Sequence, residues 1–157
     1  MKTMTLADWA SLEHFKPTEA WGDPHRMSSD LVRELEAFRE FIDTEVFILC
    51  GTQGVHSVNS QHYSGNAVDI IFPGEPLDAL PDLLLASLRF DFVGIGIYPH
   101  WSIHGHVRGG LHLDQRPGLV KALWLCTLND GKQSYGRLSW KDLNLALIEA
   151  GTQEPRH

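Results

Sequence analysis

An aspartate lies inside a short apolar run, Ala67-Val68-Asp69-Ile70-Ile71-Phe72, that Pro73 and Gly74 bring to a stop. The run reads as a buried strand, and a carboxylate facing a core without a partner carries a large desolvation penalty. Two readings follow from periodicity alone: Asp69 points to water from a half-exposed strand, or a cation offsets its burial. His62 precedes Asp69 by seven residues, in a polar loop over residues 52–64. A second segment, Leu111-His112-Leu113-Asp114, places His112 and Asp114 on one face of a strand and its leucines on the other, because strand side chains alternate. Two imidazoles and a carboxylate form a three-ligand set with a position left open for water, the arrangement of catalytic rather than structural zinc.

The remainder of the chain limits what can surround such a site. With 157 residues, 43% of them hydrophobic, a single domain over residues 1–157 is expected. The net charge of -7 and the lack of a basic stripe argue against nucleic acid as a partner. No run approaches the roughly 20 apolar residues of a membrane span, and the N-terminus lacks the apolar stretch of a signal peptide. The expectation is therefore a monomer without a membrane partner, cytoplasmic as encoded or released by a route the chain does not itself encode. Cys50 and Cys126, in the runs VFILC and LWLC, read as small buried hydrophobes rather than a disulfide.

Leu31, Leu35, Phe38 and Ile42 recur at helical spacing behind Ser28 or Ser29, which predicts a capped helix. Strands are expected at 45–50, 67–72, 91–98 and 111–115, and helices near 6–12, over 77–88 and over 139–150. Residues 118–128 read as helix or extended packing. Gly94 and Gly96 share a strand face where a backbone or bulky side chain can come close. With short connections, the order favours an α+β fold with a small antiparallel sheet of about four strands and helices packed on it.

The spacing H-x-x-G-x-A-x-D, present as His62, Gly65, Ala67 and Asp69, is followed about forty residues later by a G-x-H-x-D strand. Together they resemble the D-alanyl-D-alanine metallopeptidases, a family of zinc carboxypeptidases and endolysins that shares its metal core with lysostaphin-type and hedgehog domains. The resemblance covers roughly residues 6–117. It implies a hedgehog/DD-peptidase-like fold, one zinc ion on His62, Asp69 and His112, and hydrolysis of bacterial cell-wall stem peptides by a carboxypeptidase or an endolysin-like endopeptidase. Other first-row ions suit the same donors.

Two positions depart from the family pattern. Relatives carry an acid three residues before the last histidine, where this chain has Gly109. Asp114 then serves either as the base or as a hydrogen-bond partner that orients a ligand histidine. An arginine in a segment resembling S-G-Y-R is replaced by Gln53 in Cys50-Gly51-Thr52-Gln53, leaving Arg108 or Arg116 to supply the cation. Arg116 and His106 complete the catalytic candidates, with His56 and His104 as further loop histidines that could assist proton transfer or hold substrate.

Gln53, Ser60 and Tyr98 are the candidates to touch substrate, Ser60 also as a cap on the His62 loop. Trp101 joins Tyr98 as a groove residue, whereas Trp9, Trp21, Trp124 and Trp140 read as packing aromatics. His14, His25, His100 and His157 carry less weight than the loop histidines. The departures motivate a rival reading, a metal-containing binding or structural module, for example a phage-derived one, that keeps the fold but has little or no turnover.

Overall fold

Thr5 and Asp8 cap each other reciprocally to open α1 (Leu6–Ala10), the first element of the computed structural model, which describes residues 1–152. Ser28 caps α2 (Ser29–Ile42), and Leu31, Leu35 and Phe38 are fully buried on one face of that helix. The chain continues through β1 (Phe47–Cys50), β2 (Ala67–Ile71), α3 (Leu80–Ser87) and β3 (Gly94–Tyr98). A small two-stranded ribbon, β4 (Ser102–Ile103) with β5 (His106–Val107), occupies the expected loop. β6 (Gly110–Asp114), β7 (Ala122–Asn129), β8 (Lys132–Arg137) and α4 (Trp140–Gly151) complete the described chain. Among the described residues, no helix is long and apolar enough to cross a membrane.

The fold is α+β, but the sheet is larger than the sequence suggested and is mixed. Six strands run in the order β1-β2-β6-β3-β7-β8. The four expected strands pair antiparallel as β1-β2-β6-β3, while β7 adds parallel to β3 and β8 returns antiparallel to β7. Residues 118–128 are thus mostly strand, because the free edge of β3 takes up Ala122–Leu125 in register with Gly94–Ile97. Asp130 and Gly131 both have positive φ, 51° and 73°, which suits the tight turn that joins β7 to β8.

Alternation gives the sheet two unlike faces. Ile48, Val68, Ile70, Ile95, Ile97, Leu111 and Leu113 join the α2 residues, Leu80 and Leu84 of α3, and Leu143 of α4 in one apolar core. The other face carries a row of cross-strand neighbours: Cys50 beside Asp69, Asp69 beside His112, His112 beside Gly96 and Gly96 beside Trp124. A register shift between Ile48 and Cys50 puts Cys50 in this row, although Ile48, two residues earlier, lies in the core.

Both glycines of β3 make room for a side chain from a neighbouring strand. A Cβ on Gly96 would overlap the Trp124 indole, and one on Gly94 would overlap the Asp114 carboxylate. Replacing a strand glycine by alanine ordinarily gains roughly 0.5–1 kcal/mol. Here the overlap dominates, because Asp114 is fully buried and cannot retreat. Gly94→Ala is expected to destabilise the fold by about 1–3 kcal/mol in chemical denaturation, and a variant as stable as the parent would show that this contact is not tight.

Candidate metal centre

Each donor of the sequence motif is placed by local structure. Ser60 caps a short 3-10 turn, Gln61–Ser64, and its Oγ accepts from the His62 N–H. Gly65 closes that turn at φ 71°, with its α-carbon against the Arg26 carbonyl, so a side chain is excluded on both counts. Asp69 and His112 are direct cross-strand partners on β2 and β6. The small Ala67 of the motif pairs with Asp114 in the same ladder.

His62 Nε2, His112 Nδ1 and Asp69 Oδ1 converge. The separations are 3.2 Å between the two ring nitrogens, 2.8 Å from His112 to Asp69 and 3.3 Å from His62 to Asp69. His62 and His112 are buried, and Asp69 is nearly so. Donors held at about 2.0–2.2 Å from one tetrahedral ion stand roughly 3.3–3.6 Å apart, near the two separations from His62, while the His112–Asp69 contact has the length of a hydrogen bond.

The outer partners decide which ring nitrogens carry lone pairs. His62 Nδ1 lies 2.7 Å from the Gly51 carbonyl, which can only accept, so Nδ1 carries the hydrogen and Nε2 of the neutral ring is the donor to a cation. His112 Nε2 is 2.9 Å from Asp114 Oδ2, and Arg116 grips the same carboxylate through its backbone N–H, Nε and Nη2. Burial works against ionisation of Asp114, yet Arg116 and His112 hold it well below the usual carboxylate range. An ionised Asp114 can only accept, which leaves His112 Nδ1 with the lone pair that faces Asp69. With both rings neutral, three acceptors therefore meet with no hydrogen of their own among them, and a bound cation, or in the metal-free chain a second proton on His112, relieves that repulsion. The donor set of two imidazoles and a carboxylate suits a first-row divalent ion such as zinc.

Titration of the metal-free chain answers to the same need. Burial raises the Asp69 carboxyl, but the hydrogen bond from a protonated His112 and the neighbouring His62 outweigh it and bring the group to about 2. His112 binds its second proton more readily than usual: Asp114 and Asp69 favour the charged ring more strongly than burial disfavours it.

The donors lie in a cleft of about 770 Å³. One wall is the 55–61 loop with His56, Ser57, Asn59, Ser60 and Gln61; the other carries Tyr98, Trp101, Trp124, Gln133 and Tyr135. Tyr98 and Trp101 stack at 4.0 Å between ring centroids, and Trp124 stands 5.2 Å from the His112 ring. No protein-family model matches the chain, and no curated protein matches it.

Several sequence expectations change here. Asp114 does not line the cleft: it is fully buried, with an oxygen 2.9 Å from His112 Nε2. Arg116 lines the cleft, but its guanidinium is committed to Asp114 and lies over the Trp124 ring. His106 and His104 sit on the exposed β4–β5 ribbon and do not line the cleft, nor does Arg108, so the candidate catalytic role of His106 has no support in its position. Gln53 turns its amide to the Ala20 carbonyl and the Gly51 N–H, away from the cleft, while Ser60 and Tyr98 line it. Gly109, at φ 67°, would direct a Cβ into Leu80 and Leu77, so an acid at that position would meet apolar side chains. Trp9 and Trp21 are core residues as expected, but Trp124 is a cleft wall and Trp140 is exposed. Cys50 is only half-buried, within 4.0 Å of His62 Nδ1. His157 lies outside the described residues.

Metal affinity tests the role of the carboxylate behind His112. Asp114→Asn keeps the shape but removes the charge that fixes the tautomer and balances Arg116, and is expected to weaken metal binding about 10- to 100-fold in chelator competition. Unchanged affinity would mean that Asp114 serves Arg116 alone.

Proposed function

We propose that this protein is a zinc-dependent peptidase that cleaves peptide bonds of the bacterial cell-wall stem-peptide type. The observation that carries the reading is the convergence of His62, Asp69 and His112, each histidine with its outer nitrogen already occupied, on the floor of an open cleft. The same three residues form the motif that resembles the D-alanyl-D-alanine metallopeptidases. A zinc ion held there supplies Lewis-acid polarisation of the scissile carbonyl and activation of water near neutral pH.

The chain's own residues hold and orient. Gly51 and Asp114 keep the two imidazoles in the ligating tautomer, and the cleft of about 770 Å³ runs between the polar 55–61 loop and the aromatic wall, where a peptide substrate would lie. Arg116 is the only arginine or lysine among the described lining residues, and its charge is matched by Asp114. A terminal carboxylate thus lacks a free counter-charge, which favours an internal bond over carboxypeptidase action.

A second reading has an observation of its own. Asp114 is sealed and Gly109 offers no acid, so no carboxylate other than Asp69 lines the cleft among the described residues. A metal-containing binding or structural module with little turnover fits that lack, since proton transfer by a positioned acid or base contributes about 10²–10⁴-fold in rate.

One experiment separates them. Zinc-loaded protein is incubated with a stem peptide bearing a free C-terminal carboxylate and with the same peptide amidated, and the products are read by mass. Cleavage of both at an internal bond, lost on chelation and in Asp69→Ala, is the expected outcome. A zinc-loaded protein that cuts neither peptide leaves the binding module as the reading to pursue.

A further inference from the structure

Across the His62 ring from the three converging donors lies a second cluster that the proposed hydrolysis does not use. Cys50 Sγ stands 3.5 Å from His56 Nε2 and 3.0 Å from the Gln53 carbonyl oxygen, and His56 Nε2 is 2.8 Å from that same oxygen. Sulfur, nitrogen and oxygen are thus mutually within 3.5 Å. Cys50 and His56 also form, with His62, a group whose potential ligand atoms all fall within 4.8 Å of one another.

The surroundings hold both side chains in place. The register shift in β1 turns Cys50 out of the core and onto the site face. His56 is clamped through its backbone, with its N–H donating to the Tyr63 hydroxyl at 2.9 Å and its carbonyl accepting from the same hydroxyl at 2.9 Å. Its ring stacks on His62 with centroids 4.1 Å apart and planes 10° from parallel. Gly54, at φ 92°, leaves room for His56 Nε2, which a Cβ there would approach to 3.2 Å. Two hydrogen bonds into one carbonyl would satisfy the thiol and imidazole, but they do not require sulfur and nitrogen to face each other. A tetrahedral ion does: bonds of about 2.3 Å to sulfur and about 2.0–2.1 Å to nitrogen put those atoms roughly 3.6 Å apart.

We infer that Cys50 Sγ and His56 Nε2, with the Gln53 carbonyl oxygen beside them, form a second site for a thiophilic divalent cation such as zinc or cadmium. On binding, the Cys50 S–H bond breaks, its proton passes to the buffer and a sulfur–metal bond forms, with no change of oxidation state. Water from the cleft completes the coordination, since His56 lines the opening. Cys50 Sγ lies 4.0 Å from His62 Nδ1, whereas the first centre uses Nε2, and the site has fewer side-chain ligands than the His62–Asp69–His112 centre, so it fills second. It requires neither peptide cleavage nor occupation of the first centre.

Titrating metal-stripped protein with cadmium, under a thiol-free reductant, tests this by metal content after dialysis and by the ultraviolet band of cadmium thiolate. Wild type is expected to bind two ions per chain and to develop the band with the second. Cys50→Ser and Cys50→Ala retain one ion without the band, and His56→Asn weakens the second ion by at least about 10-fold. Asp69→Ala loses the first ion yet still develops the band, so a failure of the first centre is distinguishable from a failure of this one. One ion in wild type with no thiolate band, or a band that survives in Cys50→Ser, overturns the inference; the latter would point to Cys126, which is buried away from the cleft.

Discussion

Three lone pairs that face one another at 2.8–3.3 Å repel unless a positive charge stands between them. Much of the surrounding structure can be understood as the means of holding them there. The Gly51 carbonyl and the Asp114 carboxylate take the outer nitrogens of His62 and His112, which fixes both tautomers. Arg116 in turn neutralises Asp114, so that a fully buried carboxylate remains charged at neutral pH. This chain of partners runs from the donors to the protein surface, and each step offsets the desolvation of the one before it.

The sheet converts sequence spacing into this geometry. Asp69 and His112 meet because β2 and β6 pair in a register that sets them side by side, and Gly96 lies next in the same row. The apolar residues that alternate with them face α2, α3 and α4, so the core that stabilises the fold also fixes the direction of the ligands. A slip of one residue in β6 would send His112 into the core and Leu111 or Leu113 into the cleft.

The donors were legible in the sequence because each sits in a strongly patterned context: an aspartate flanked by buried aliphatic residues, a histidine between two leucines, and a histidine three residues before Gly65 in the H-x-x-G-x-A-x-D spacing. The helices and the strands β1, β2, β3 and β6 were legible for the same reason. The C-terminal half of the sheet was less so, since LWLCTL is apolar enough to suit helix or strand and its parallel partner is distant in the chain. The turn at Asp130-Gly131 was the available signal for the β7–β8 hairpin. Whether Asp114 reached substrate or backed His112 was undetermined, because alternation fixes a face but not what lies above it. Cys50 read as a core residue because its apolar neighbours gave no sign of the register shift that turns it outward.

The β7–β8 hairpin supplies Trp124, Gln133 and Tyr135 to the cleft but none of the three converging donors. It lies at one end of the strand order and after the segment that carries the ligands. Part of the cleft wall and the three converging donors are consequently carried by different stretches of the polypeptide. Gln133 and Tyr135 can therefore change without a change in the donors, whereas Trp124, beside the His112 ring and under the Arg116 guanidinium, ties the hairpin to the centre.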